Sequence, residues 1–406
     1  MSGNRWLFSC ISCNWKDAVE KSDPPGFRCA NCGDLLQIVL EGDAPKPRDL
    51  FADVSRTSIW RYSAALPVKN SVHQITLGEG NTPLLHAKRI ERSMKNLLIK
   101  YEGQNPTGSF KDRGMSVAIT RAVEQNAKVL VCASTGNTSA SLAAYSSRAG
   151  LRSLVVVPEG KVASGKLVQA IAYGAKIVRM KGNFDSALKS VTRLVSENKG
   201  FYLMNSVNPF RIEGQKTVAF EIYEQLGREV PDYVVLPVGN AGNISAIWKG
   251  FRELKEWGIS DKTPKMIGVQ AEGASPIVNA LANDSDTIVP VDKPETIASA
   301  IMIGNPVSWK KAIKAIRESG GFAVSVRDSD IVEARMHLAT KEGIFVEMAS
   351  AAPITAVKML KDRMQKDDLV VCIATGNGLK DQELVKFDPS SFPLVEDVNS
   401  ILSRDL

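Results

Sequence analysis

Short apolar runs alternate with longer amphipathic stretches along the chain from Leu97 onward. The runs are rich in Val, Ile and Leu, as parallel strands buried on both faces are. We predict strands at Leu97–Tyr101, Val129–Cys132, Leu154–Val157, Ile177–Met180, Tyr233–Leu236, Met266–Val269 and Leu369–Ile373. Predicted helices are Met115–Gln125, Thr138–Ala149, Gly165–Tyr173, Phe184–Glu197, Lys216–Leu226 and Asn243–Glu256. This alternation predicts an α/β fold of mostly parallel, twisted sheets flanked by helices.

Length and charge narrow the class of protein. The 406 residues, 44% of them hydrophobic, are enough for two or three packing units. No apolar run is long enough to cross a bilayer, and the first ten residues lack a signal-peptide layout, so we expect a cytoplasmic protein without a membrane partner. The net charge of +7 comes from scattered lysines and arginines. That pattern favours an ordinary solvated surface over nucleic-acid binding, and it is compatible with an anionic small substrate.

Two Cys-x-x-Cys pairs, Cys10 with Cys13 and Cys29 with Cys32, lie fifteen residues apart near the N-terminus. In a chain without an export signal this spacing favours a tetrahedral zinc site over disulfides. The alternative is a small unit that has lost its metal. We therefore expect a zinc-ribbon-like unit at residues 1–45, a linker or arm at 46–75 and the main domain at 76–406.

Lys111 lies in the segment Asn105-Pro-Thr-Gly-Ser-Phe-Lys-Asp-Arg-Gly114, between a predicted strand and a predicted helix. Desolvation and a helix N-terminus can lower the pKa of such an ammonium group. Imine formation needs a lowered lysine pKa, because only a neutral amine attacks a carbonyl. The alternative is a surface lysine that pairs with Asp112.

Glycine-rich or polar turns follow several of the predicted strands. Gly239-Asn-Ala-Gly-Asn243 opens a helix after an apolar run, which suits anion binding, but its spacing is not the dinucleotide fingerprint. Ser134-Thr-Gly-Asn-Thr-Ser139 has the same layout, with helix capping as its alternative role. Thr375-Gly-Asn-Gly378 ends a strand and could be only a turn. Arg211 offers a fork of donors for a phosphate monoester, with a plain surface charge as the alternative.

The segment Ser109-Phe-Lys-Asp-Arg113 resembles the lysine motif of the fold-type II pyridoxal-phosphate (PLP) enzymes, the tryptophan synthase β-like superfamily. The longer string from Asn105 to Met115 is similar to that of the threonine synthase family in particular. Further segments resemble this family in the same order, over roughly residues 50–385: 77–84, 133–139, 205–217, 239–243, 298–306 and 375–381.

The resemblance implies a role for each site residue. Lys111 is the implied catalytic residue and the lysine that forms a Schiff base with PLP. Further implied PLP contacts are Asn137 at the phenolic oxygen, Thr375 at the pyridine nitrogen, and the phosphate cup of Gly239, Asn240, Ala241, Gly242 and Asn243. The substrate carboxylate is assigned to Ser134, Thr135 and Thr138, and the substrate phosphate to Ser206, Arg211 and Asn240. Members of the family often carry His where this chain has Asn377, which leaves the role of Asn377 open.

The resemblance also implies a fold with two subdomains, the smaller at about residues 130–205 closing on the substrate, and a homodimer. The implied reaction is the conversion of O-phospho-L-homoserine and water to L-threonine and phosphate, by γ-elimination and β-addition. The alternatives are a serine/threonine dehydratase, a cysteate-forming relative, or a non-catalytic zinc-ribbon interaction protein. The phosphate site argues against a dehydratase but not against a relative that starts from phosphoserine. Intact Lys111, Asn137 and Thr375 argue against a non-catalytic protein.

Overall fold

Three sheets organise the structure, a computed structural model that describes residues 5–21, 23–51, 57–68, 73–91, 94–159, 164–182 and 184–384. Parts of the predicted arm, at 52–56 and 69–72, and the predicted main domain beyond 384 lie outside the described residues. The strands in chain order are β1 (Arg5–Cys10), β2 (Lys16–Ala18), β3 (Leu36–Glu41), β4 (Leu84–His86), β5 (Asn96–Tyr101), β6 (Val129–Ala133), β7 (Arg152–Pro158), β8 (Lys176–Met180), β9 (Phe201–Leu203), β10 (Tyr233–Pro237), β11 (Lys265–Ala271), β12 (Phe322–Val326) and β13 (Leu369–Ala374).

Helices cover the sheets and connect the strands. In chain order they are α1 (Pro47–Phe51), α2 (Lys111–Glu124), α3 (Asn137–Arg148), α4 (Ser164–Ala172), α5 (Phe184–Glu197), α6 (Pro209–Gln215), α7 (Thr217–Gln225), α8 (Gly242–Glu256), α9 (Pro276–Ala282), α10 (Trp309–Glu318), α11 (Asp328–Glu342) and α12 (Met348–Leu360). Every predicted strand and helix is present, most with ends shifted by a few residues and α5 with the predicted bounds, and the predicted α/β class is confirmed. The sequence prediction missed β1–β4, β9, β12, α1, α6 and α9–α12. Among the described residues, no helix is both long and apolar enough to cross a bilayer.

The two large sheets are interleaved along the chain. The six-stranded sheet has the order β12-β11-β10-β13-β5-β4, and only the β4–β5 pair is antiparallel. The four-stranded sheet, β8-β7-β6-β9, is parallel throughout and is inserted between β5 and β10. Because neighbouring parallel strands end at the same sheet edge, the turns after β6, β9, β10 and β13 can converge on one site.

The N-terminal unit is a three-stranded antiparallel sheet in the order β2-β1-β3. Its apolar residues, among them Phe8, Phe27 and Leu36, belong to the same buried cluster as α2 and the smaller parallel sheet. Lys249 of α8 donates to the Ile38 carbonyl oxygen at 2.6 Å. The unit is therefore packed into the body of the protein through both apolar and polar contacts.

A fully buried charge network fixes the loop between β5 and α2. Arg113 donates to Glu102 and Glu221, each at 2.7 Å, and Lys100 donates to Glu221 at 2.8 Å. Each of these four side chains is at most 2% exposed. Two cations face two carboxylates, so the network is balanced, as buried charges must be to remain stable. It anchors the segment that leads directly to Lys111.

Candidate active site

Lys111 is the first residue of α2, four residues earlier than the predicted helix start. The preceding residue, Phe110, donates its backbone N–H to the Thr375 carbonyl oxygen at 3.1 Å, which places the lysine beside the turn after β13. Burial and, to a smaller extent, the Arg211 guanidinium together lower the pKa of Lys111 to about 7, against an opposing effect of the Glu347 carboxylate. At neutral pH a large fraction of this amine is therefore neutral and nucleophilic.

Asp112 does not act as a surface ion-pair partner for Lys111. It is fully buried, and its carboxylate accepts from the backbone N–H of Thr107 at 2.7 Å and from the Thr107 hydroxyl at 2.6 Å. These bonds fold the loop before α2 back onto the helix start. Lys111 itself remains partly exposed, with its Nζ atom 4.1 Å from the centroid of the Phe110 ring.

The start of α6 brings a second cation to Lys111. Helices α2 and α6 cross at two glycines: a Cβ on Gly114 would lie 2.7 Å from the Arg211 carbonyl oxygen, and one on Gly214 would overlap the Arg113 backbone. This close crossing requires glycine at both positions. It brings Arg211 near enough to Lys111 for the two charges to repel each other.

Arg211 is a buried cation without a compensating carboxylate in the described chain. It is 2% exposed, it donates to the Met204 carbonyl oxygen at 3.0 Å, and its Nε atom has no partner among the described residues. Burial lowers the pKa of this guanidinium to about 10. A buried, under-satisfied guanidinium is suited to a phosphate group, which accepts paired hydrogen bonds. Ser206, partly exposed, lies in the turn between β9 and α6.

The Gly239–Asn243 turn joins β10 to α8 and has the form of an anion cradle. Ala241 adopts a left-handed backbone with φ of 64°, and a Cβ on Gly239 would lie 2.8 Å from the Ala300 carbonyl oxygen. The Asn243 side chain is buried, and both of its polar atoms lack partners among the described residues. The Asn240 side chain instead accepts from the Val307 N–H at 3.3 Å, which tethers the turn.

The turn after β6, Ser134–Asn137, leads into α3. The residue that caps α3 is Gly136, and no side chain caps the helix, so the capping role considered for this segment is not observed. The Ser139 N–H donates to the Gly136 carbonyl oxygen at 3.0 Å, so it is the N–H groups before Ser139 that a ligand at this helix start can use. Ser134, Thr135 and Thr138 are partly exposed at this end. The turn is thus suited to a carboxylate.

Asn137 and Thr375 both lie against α12, through residues that the sequence prediction missed. The Asn137 amide donates to both oxygens of Glu347 at 3.0 Å, and its own Oδ1 has no partner among the described residues. The Thr375 hydroxyl lies 3.0 Å from that of Ser350. The sequence does carry a signal for Glu347. It is a lone carboxylate between the apolar run 344–346 and a stretch of small residues, a position that indicates a buried charge.

Asn377 stabilises the turn after β13. Its amide nitrogen donates to the Tyr101 hydroxyl at 3.2 Å, and its Oδ1 accepts from the Leu379 N–H at 3.0 Å. In this chain the residue therefore links the turn to the end of β5.

Comparison with known proteins agrees with this geometry. A family described as pyridoxal-phosphate dependent enzyme matches residues 75–376. The threonine synthase of Methanocaldococcus jannaschii is 54% identical over 93% of both chains, and that of Methanosarcina acetivorans is 48% identical over 96% of both. The chain belongs to the threonine synthase family of PLP-dependent enzymes. This confirms the resemblance found in the sequence and the expectation of a PLP-dependent enzyme.

Solved structures support the same fold for this threonine synthase family member. The threonine deaminase of T.th. is 26% identical, with a TM-score of 0.64 over 85% of this chain and 100% of that chain. Maize serine racemase, at 22% identity and a TM-score of 0.62 over 73% of this chain and 88% of that one, shares the fold. The predicted fold-type II architecture is confirmed.

The site residues of this family member fit PLP. A carbonyl group of the cofactor needs a neutral amine, and Lys111 has a pKa of about 7. A cofactor phosphate needs N–H donors, and the Gly239–Asn243 turn leads into the N-terminus of α8, which no side chain caps. The buried atoms without partners, Asn137 Oδ1 and the Asn243 amide, provide polar groups that a ligand can satisfy.

Proposed function

We propose that the protein converts O-phospho-L-homoserine and water to L-threonine and phosphate. The observation that carries this proposal is the buried guanidinium of Arg211, uncompensated by any described carboxylate and close to Lys111. A phosphate-bearing substrate supplies the missing negative charge. The names of the relatives, threonine synthases that share about half of their residues with this chain, support the same reaction.

Each site residue has a role in this proposal. Lys111 and Asn137 hold PLP together with Thr375 and the N–H groups of the Gly239–Asn243 turn. When bound, PLP stores the electrons released as the substrate Cα–H bond breaks. Ser134, Thr135 and Thr138 bind the substrate carboxylate, and Ser206 and Arg211 orient its phosphate, with the amide nitrogen of Asn240 as a further donor.

The Lys111 amine carries protons at its Nζ atom. Because its pKa is near neutral pH, it can both accept the proton from Cα and return one. The Glu347 carboxylate favours the protonated amine, and the Arg211 guanidinium favours the neutral one. The β-carbon loses a proton, phosphate leaves from the γ-carbon with the electrons of the C–O bond, and the γ-carbon gains a proton. The oxygen of water then bonds to the β-carbon, and the released proton goes to the departed phosphate. The smaller sheet and its helices exclude bulk water as they close over the substrate.

A substrate panel tests this function. The protein loaded with PLP is given O-phosphohomoserine, phosphoserine with sulfite, or threonine, and phosphate and amino-acid products are measured. Equal amounts of threonine and phosphate, abolished in Lys111→Ala, support the proposal. Turnover of phosphoserine with sulfite, and none of O-phosphohomoserine, would instead identify a cysteate-forming enzyme.

We also propose a structural zinc ion in the N-terminal unit. The Sγ atoms of Cys10, Cys13, Cys29 and Cys32 lie within 4.8 Å of one another. Their closest pairs are 3.4 and 3.6 Å apart, near the ~3.8 Å that tetrahedral Zn–S bonds require. Elemental analysis should find one zinc per chain, and Cys32→Ser should lower that content. On family resemblance we further propose a cytoplasmic homodimer; sedimentation of the holoenzyme tests the dimer.

A further inference from the structure

The N-terminal unit packs directly on α6, the helix that carries Arg211. The Phe210 ring, fully buried, meets the Phe8 ring at a centroid distance of 5.8 Å and the Phe27 ring at 6.4 Å, both edge-to-face. Edge-to-face aromatic pairs have preferred geometries that fix the position of each ring. Phe210 is the immediate neighbour of Arg211, so these contacts hold the first turn of α6 against the N-terminal unit.

Each of the two aromatic residues lies two positions before a cysteine of the proposed metal site. Phe8 precedes Cys10 on β1, and Phe27 precedes Cys29. In an extended strand, residues two apart point to the same face, which applies to Phe8 and Cys10. Phe27 instead ends a short helical turn with a φ of 55°, and one residue separates it from Cys29. Each ring that contacts Phe210 is therefore tied through a short stretch of backbone to one cysteine of the cluster.

Polar contacts tie the far end of α6 to the same unit. The buried carboxylate of Glu213 accepts from Lys216 at 2.7 Å and also from Lys249. Lys249 in turn donates to the Ile38 carbonyl oxygen of β3 at 2.6 Å. Lys216 lies 5.3 Å from the centroid of the Trp6 ring on β1.

A third set of contacts closes around Phe210 from α2. The Arg121 guanidinium lies 5.3 Å from the Phe210 ring centroid, and it donates to the Val19 carbonyl oxygen at 2.6 Å and to Asp23 at 2.8 Å. Helix α6 is thus held between α2, which carries Lys111, and the N-terminal unit.

From these contacts we propose that the N-terminal four-cysteine unit positions Arg211 for the substrate phosphate, with Phe8 and Phe27 as positioning residues. This inference rests on the proposed function only for the identity of the phosphate ester. Loosening Phe210 lets the start of α6 shift against α2. The expected consequence is weaker phosphate binding, with PLP binding and its absorbance unchanged.

Phe8→Leu and Phe27→Leu test the proposal in the holoenzyme. We expect each to raise the KM for O-phosphohomoserine and the Kd for inorganic phosphate about tenfold, with kcat changed less than about twofold, because a displacement of about 1 Å can cost 10²-fold. Phosphate binding is measured by titration calorimetry. The matched control is Phe51→Leu, whose ring packs on Tyr62 and Tyr223 in a different buried cluster. It should lose stability while keeping wild-type phosphate binding.

A double-mutant cycle separates positioning from general stability. In an Arg211→Gln background, Phe8→Leu should have no further effect on the phosphate Kd, because its effect acts through Arg211. Removing the metal by chelation should weaken phosphate binding in the wild type in the same way. If the phenylalanine variants lower only the melting temperature and leave KM and Kd unchanged, the proposal is wrong.

The two proposals fail separately. A wild-type protein that binds phosphate through Arg211, and loses this in Phe8→Leu, but leaves O-phosphohomoserine untouched, would refute the function and keep the positioning role. If the wild type converts O-phosphohomoserine and the phenylalanine variants bind and convert it equally well, the function is supported and the positioning role is refuted.

Discussion

The crossing of α2 and α6 gives a sharp test of how the site is assembled. In Gly114→Ala the new Cβ would lie 2.7 Å from the Arg211 carbonyl oxygen, whereas ordinary contact begins at 3.4 Å, so the helices must separate by about 0.7 Å. Overpacking of this kind costs about 1–3 kcal/mol of stability. Because Arg211 moves with its backbone, we expect kcat/KM for O-phosphohomoserine to fall about tenfold, in line with the 10²-fold cost of a 1 Å misplacement.

The assay needs a control that overpacks a glycine elsewhere. In Gly321→Ala the Cβ would overlap the Met266 carbonyl oxygen, a tighter contact than the one at Gly114, just before β12 and at the sheet edge opposite the site. Thermal unfolding and phosphate release are measured for both variants. The control should lose stability and keep its kcat/KM. If both variants lose activity equally, or if Gly114→Ala loses only stability, the crossing does not set the position of Arg211.

The remaining predictions concern buried charges. The rate at which apoenzyme takes up PLP should rise with pH through about 7, because only the neutral Lys111 amine reacts. Glu347→Gln should move this midpoint to lower pH, because the Glu347 carboxylate raises the pKa of Lys111. Arg211→Gln should move it to higher pH, because the Arg211 guanidinium lowers that pKa. Stopped-flow absorbance measures both shifts. Lys100→Met leaves the buried carboxylates of Glu102 and Glu221 with Arg113 as the one remaining cation of the network, and it should lower the unfolding free energy by about 3–5 kcal/mol. In the exposed pair, Lys95→Met should cost at most about 1 kcal/mol. Denaturant unfolding compares the two variants.

The sequence located the parts of the site that follow strongly apolar strands. Strand β6 leads to the Ser134–Asn137 turn, β10 to the Gly239–Asn243 turn and β13 to Thr375, and each strand is buried along its whole length or nearly so. A continuous Val, Ile and Leu run bounded by glycine is a strong local signal. Which of these turns meet in space required the interleaved order of the two parallel sheets.

Helix α12 shows why the rest of the site was missed. Of its residues, 348–357 and Leu360 are buried, and it contains Pro353. A helix that is apolar on all sides has no amphipathic period, and an internal proline reads as a break. Glu347 and Ser350, which contact Asn137 and Thr375, were therefore not assigned to any element.

The docking of the N-terminal unit on α6 depends on tertiary contacts alone. Phe8 and Phe27 look like ordinary core residues of a small cysteine-rich unit, and their contact with Phe210 spans about half of the chain. No local pattern carries that information. The sequence prediction missed two strands for a simpler reason. Strand β9 has only three residues, and β12 is a half-buried strand at the edge of its sheet.

The charge balance of the interior leads to a final prediction. The buried Lys100–Arg113 network is matched by two carboxylates, but Arg211 has no such partner among the described residues. Burial lowers its pKa from 12.5 to about 10, which corresponds to a destabilisation of about 3 kcal/mol at most. Arg211→Gln should therefore be about 1–3 kcal/mol more stable than the wild type without ligand.

Phosphate should reverse that order. At 100 times its Kd, phosphate should stabilise the wild type by about 2.7 kcal/mol and leave Arg211→Gln nearly unaffected. Denaturant unfolding with phosphate, and with chloride at equal ionic strength as the control, measures both effects. If Arg211→Gln is less stable than the wild type and still gains stability from phosphate, the guanidinium is a structural cation and the anion binds elsewhere. If instead Arg211→Gln is more stable than the wild type without ligand and gains no stability from phosphate, Arg211 binds the anion at a cost to the stability of the free protein.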